Sequence, residues 1–113
     1  TGVQTCALPI SVRAVELDPL NPLAHITAAG YFVSAPPIAG GSLSRGEDHI
    51  AAARALTSGS EYVDFLVAVW EARLAAKQGD EDAVAHALGR AYAIYPRNWW
   101  LLQIARELNV ALP

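Results

Sequence analysis

Residues 35–56 read APPIAGGSLSRGEDHIAAARAL, and the fold follows from how this stretch divides. Pro36 pushes Ala35 out of the helical region, so a helix arriving from upstream has to end there. Gly40 and Gly41 permit positive φ and a sharp reversal. Ser42 or Ser44 then caps a new helix, Ser44 and Glu47 having capping-box spacing. Along that helix Leu43, Ile50, Ala53 and Leu56 can face inward while Arg45, Glu47, Asp48 and Arg54 stay wet. It ends around Thr57-Ser58-Gly59, with Gly59 suited to the left-handed position beyond a helix end. The stretch therefore reads as the middle of a helical hairpin.

Upstream, Val12 and Val15, with Leu17 beside them, face opposite Arg13 and Glu16 over Ser11–Asp18, a short helix stopped by Pro19. Asn21 is a good N-cap, and Pro22 sits at the first helical position, where its missing N–H costs nothing. From Pro22 to about Ser34, Leu23, Ile26, Tyr31, Phe32 and Val33 lie among small alanines, the pattern of a helix packed closely on several sides. Downstream, Ser60 caps a helix over Glu61–Gln78. Its apolar residues form two adjoining stripes: Val63, Leu66, Val67, Trp70 and Leu74, then Tyr62, Phe65 and Val69. So wide a stripe predicts contacts on two sides. Gly79 and the acidic run Asp80-Glu81-Asp82 mark a helix end and a dipole-compensated helix start. The next helix carries Val84, Leu88, Ala91 and Tyr92 to Ile94 or Tyr95. Asn98 caps a last helix from Trp99 to about Val110, with Leu101, Leu102, Ile104, Ala105 and Leu108 available for burial.

At 113 residues the chain has the size of one domain or a piece of one. Its net charge of −3 argues against a sequence-independent grip on nucleic acid, so no nucleic-acid partner is expected. Charged residues interrupt every apolar run before bilayer-spanning length, and the chain is expected to be soluble. The first ten residues, TGVQTCALPI, resemble the in-frame translation of a sequencing adaptor. Residues 1–10 are therefore read as a non-native segment on a reading frame truncated at its start, and residues 11–113 as the domain. The single cysteine, Cys6, falls in that segment, which leaves no cysteine for a disulfide scaffold.

The helix ends repeat. Pro19 to Ser58 is 39 residues and Ser58 to Pro96 is 38. Within each unit a small or apolar residue, a larger apolar residue and an alanine precede the end: Gly46, Ile50, Ala53, Ser58 in one, and Val84, Leu88, Ala91, Pro96 in the other. The excess over a tetratricopeptide period of about 34 has a place in both units. In the first it lies at PPIAGG, and in the second it is about one extra turn in the Glu61–Gln78 helix. On LDPLNPLAH (17–25) and GDEDAVAHALGRAYAIYP (79–96), the chain resembles tetratricopeptide-repeat proteins over Ser11 to Pro96, departing from their consensus at Ser58, Gly46 and Val84. The resemblance implies an all-α fold of antiparallel hairpins stacked as an α-solenoid, N-terminally truncated. The proline-then-GG loop, the proline-free ALTSGSEYVD turn, the long following helix and a final hydrophobic helix also resemble the T component of tripartite ATP-independent periplasmic transporters.

The transporter resemblance implies a periplasmic or outer-membrane-associated lipoprotein, reaching the membrane only through a missing N-terminal anchor. It would associate with a solute-binding protein and handle a small hydrophobic ligand. The repeat resemblance alone implies a scaffold presenting a concave surface to a protein or peptide, compatible with the cytoplasm. In that architecture the first helix of each hairpin lines one groove, which would hold Leu23, Ile26 and Val33 and then Tyr62, Phe65, Val69 and Arg73, with Arg73 available to a carboxylate. The opposing reading makes Phe65 and Val69 inter-repeat core.

No catalytic constellation emerges, because the serines sit at caps and turns; the protein is read as a non-enzyme with no cofactor. His25, His49 and His86 fall one per hairpin without a convincing metal spacing, so no metal is expected and each is read as surface or partly packed. GGSLSRG (40–46) lacks the phosphate-loop patterns and reads as a turn. Trp99 and Trp100 are about 100° apart around a helix, so one is expected inside and the other out.

Overall fold

A computed structural model describes residues 9–113, so most of the adaptor-like segment lies outside the described residues; Pro9 and Ile10 begin the first helix. The described chain is all-helical. It runs α1 (Ile10–Leu17), α2 (Pro22–Ser34), a 3-10 turn (Pro37–Ala39), α3 (Leu43–Ala55), α4 (Glu61–Gln78), α5 (Glu81–Ile94) and α6 (Trp99–Glu107).

Side chains at the caps set these limits. Asn21, Ser42, Ser60, Asp80 and Asn98 each accept a hydrogen bond from a first-turn backbone N–H, respectively of Leu23, Arg45, Val63, Ala83 and Leu101. Ser42 is thus the cap of α3, and Ser44 lies inside the helix. Two helices end with a reversed residue. Gly79 (φ 76°) closes α4, with Asp80 N–H donating to the Ala75 carbonyl, and Asn109 (φ 57°) closes α6, with Val110 N–H donating to Ala105. The α6 helix therefore stops three residues earlier than its apolar pattern suggests.

The α3–α4 connection departs from the expected form. α3 ends at Ala55, and Ser58 (φ 51°) and Gly59 (φ 81°) are both left-handed in a tight turn closed by Ser60 N–H to the Thr57 carbonyl. Gly59 is left-handed as expected, but as part of this turn and not as the helix cap. Proline, locked near −65°, cannot adopt the φ of Ser58.

The α2–α3 loop is closely built. Gly40 takes φ 96°, and a Cβ on Gly41 would overlap the Ala35 carbonyl oxygen. Tyr31 Oη donates to the Ala39 carbonyl, and Ser42 N–H reaches back to Phe32 at 2.9 Å. The tip, Ile38, stands 97% exposed on this hydrogen-bonded support.

Each helix packs on the next, and α2 also packs on α4. α4 is the shared wall of two cores. Val63, Val67 and Leu74 join Ile26, Ala29, Val33, Ile50 and Ala53 on the α2–α3 side. Phe65, Ala68, Val69, Ala72 and Ala75 join Val84, Leu88, Leu101 and Ile104 on the α5–α6 side. Alanine fills much of the interior: Ala28, Ala29, Ala53, Ala68, Ala72, Ala87 and Ala91 are all buried. At such positions helices approach closely, and at Gly46 an added Cβ would come within 2.7 Å of Val33 Cγ2. Glu71 on α4 ties the layers electrostatically, accepting from Arg54 of α3 and from Arg90 of α5. The expected inward set is incomplete at its edges, because Leu17, Leu23 and Leu102 are exposed.

Candidate functional site

The first turn of α4 and the α5–α6 connection flank the open surface cleft nearest the sequence-predicted groove. The Ser60 cap fixes the start of α4 so that Tyr62 projects outward, 54% exposed. Opposite it, Pro96 prevents α5 from continuing, and the Tyr95–Asn98 turn closes with Asn98 N–H donating to the Tyr95 carbonyl at 3.2 Å. Asn98 then caps α6 through the Leu101 N–H at 3.0 Å, which orients the turn on the helix it starts. Tyr62, Ile94, Tyr95, Pro96, Arg97 and Asn98 line a cleft of about 550 Å³.

Beneath it Phe65 is 2% exposed, its ring 4.9 Å from that of Tyr95 and 6.3 Å from that of Trp100. Phe65 is a floor for Tyr95 and does not line the cleft. Val69, fully buried one turn further along, is core. Arg73 is remote: eleven residues along α4 from Tyr62 is about 16 Å. Its guanidinium lies 5.6 Å from the Trp70 ring centroid and 3.4 Å from Glu107 Oε2 of α6. Leu23 is half-exposed, but Ile26 and Val33 are in the α2–α4 core. Of the four candidate residues, Tyr62 alone lines the cleft, and Arg97 supplies the cation there that Arg73 was expected to supply.

The reason lies in α4 itself. A helix buried on two faces carries apolar residues nearly all round, so periodicity does not reveal which stripe meets a ligand. Arg97 follows Pro96 in a turn, and only its position in that turn could have drawn notice. Trp99 is outside and Trp100 partly buried against Phe65.

A larger cavity of about 590 Å³ separates the α4–α5 turn from the C-terminal segment. Its charged residues, Asp80 and Glu81, belong to the start of α5, where Asp80 already serves as the cap. Among the described residues no three His, Cys, Asp or Glu side chains converge as a metal site.

The histidines differ most from expectation. His25 is 8% exposed and does not stand alone. Its Nδ1 lies 2.9 Å from His49 Nδ1, and its Nε2–H donates to the Pro19 carbonyl at 2.7 Å. The His49 ring is parallel to that of Phe32 at 5.5 Å, and the Arg45 guanidinium covers the same Phe32 from 5.6 Å. Burial first, then the neighbouring His25 and the Arg45 guanidinium, hold the His49 pKa below the ordinary histidine value, while Asp48 acts in the opposite sense. This grouping was hidden because 24 residues separate the rings and only the packing of α2 on α3 joins them.

The chain matches no protein-family model, no curated protein and no solved structure.

Proposed function

We propose that the protein is a non-enzymatic helical-repeat binding module of the tetratricopeptide kind, which takes a peptide or protein segment at the Tyr62–Arg97 cleft. The supporting observation is the cleft itself: Tyr62, Tyr95, Pro96 and Arg97 line one open hollow of about 550 Å³ on a turn fixed by a proline stop and an asparagine cap. Aromatic walls with one cation suit an apolar side chain flanked by a carboxylate. Serial packing of the helices, with α2 also against α4, is consistent with stacked hairpins.

The test is selection of binders from a random peptide display library against the folded chain, followed by affinity measurement on Tyr62→Ala and Arg97→Ala variants. Losses of about tenfold or more in each are expected, as for residues at the centre of an interface. Binders indifferent to both substitutions, or no binders, would overturn the reading.

Within this class, the transporter T component is the finer reading, supported by the PPIAGG loop, the proline-free turn at Ser58 and the long α4. Recovery of the upstream reading frame tests it. A signal peptide with a lipobox cysteine is expected; a continuing array of regular repeats or a fused catalytic domain would leave the general scaffold in its place.

A further inference from the structure

The His25–His49 contact has a proton count that its geometry enforces. A carbonyl can only accept, so the 2.7 Å bond to Pro19 places a proton on His25 Nε2. In the uncharged ring Nδ1 is then a bare acceptor, and the 2.9 Å Nδ1–Nδ1 distance requires His49 to donate from Nδ1. That leaves His49 Nε2 as the free lone pair. A first proton from solvent lands there and keeps both bonds. A second has to land on His25 Nδ1, where it sets two N–H groups head to head and places a cation in a site only 8% exposed.

We propose that this pair is a proton-operated latch: the continuous link from the Pro19 carbonyl through His25 to His49 holds the α1–α2 turn to α3, survives one proton and is cut by two. The link joins three parts of the chain, since Pro19 lies in the turn, His25 in the first turn of α2 and His49 in the middle of α3. The charged and titratable groups that bear on His49 are His25 across from it and Asp48 and Arg45 on its own helix; from the α1–α2 turn the pair receives the Pro19 carbonyl dipole. Asp48 is the one anion among them, set against Arg45 and two imidazoles.

The sign follows from linkage. The closed latch holds a first proton on His49 Nε2 and has no place for a second, which the open rings accept, so opening takes up one net proton. The pH-dependent part of closure is fully present above the ordinary histidine value of about 6.5 and is lost as pH falls below it. Each proton taken up multiplies the opening constant by roughly ten per pH unit in that window.

The experiment is nitrogen-15 NMR of the imidazoles of the whole chain from pH 8 to 4.5, with amide hydrogen exchange corrected for its intrinsic pH dependence. At pH 8, His25 is expected as the Nε2–H tautomer and His49 as the Nδ1–H tautomer, the form less favoured in water. Below pH 6.5, opening of α1–α3 amides should rise about tenfold per unit, while α5 and α6 change less than twofold. His49→Gln, whose amide can turn to offer either a donor or an acceptor to His25, should flatten the rise. His49 found as Nε2–H at pH 8, or an undiminished acid opening in His49→Gln, would overturn the latch; the tautomer measurement needs no variant to fold.

Discussion

At the scale of single residues, backbone conformation decides more than side-chain chemistry. Ser58, at φ 51°, lies in a turn that excludes proline. Ser58→Pro is expected to destabilise the protein by more than about 1 kcal/mol in denaturant titration, because the native φ is one proline cannot adopt. Gly41→Ala meets the Ala35 carbonyl, a backbone atom that cannot rotate away, and should cost about 2 kcal/mol or more by the same measurement. Phe65→Ala separates floor from contact. As core it should lose about 3–5 kcal/mol of stability, with peptide binding weakened only through the displaced Tyr95. The cap residues Asn21, Ser60 and Asn98 were legible in the sequence because one hydrogen bond between near neighbours creates each of them. The His25–His49 contact was not, because nothing within a turn of either ring announces the other.

Among the elements, α4 governs the rest, and its two-sidedness explains both what the sequence discloses and what it conceals. The width of the apolar stripe discloses that α4 is buried twice. It conceals which residues are left for a ligand, so Tyr62 and Phe65, three residues apart, end up outside and inside. The Glu71 clamp was equally illegible, because its partners Arg54 and Arg90 lie 17 and 19 residues away on different helices. Glu71 is only 18% exposed, but both arginines keep access to water and can rehydrate when it is removed. Glu71→Ala is therefore expected to cost about 1 kcal/mol, less in high salt, which thermal melts at two ionic strengths would show.

Across the whole molecule, exposed large apolar side chains gather most densely along one edge. Ile10, Leu17, Leu20 and Leu23 stand exposed along the α1–α2 edge. An apolar edge of this kind favours association. Sedimentation of the chain should depend on concentration, and Leu17→Glu with Leu20→Lys should abolish that dependence without changing helicity; equal sedimentation of the two proteins would count against an adhesive edge. The alanine-lined interior carries a consequence for how the protein tolerates change over generations. A core of large side chains is harmed mostly by truncation, but where Ala53, Ala72, Ala87 and Ala91 hold the helices at close approach, only a methyl remains to truncate and enlargement is what harms most. Drift in such a chain is thus steered to its surface and loops, and two descendants could share every buried alanine while agreeing in little else.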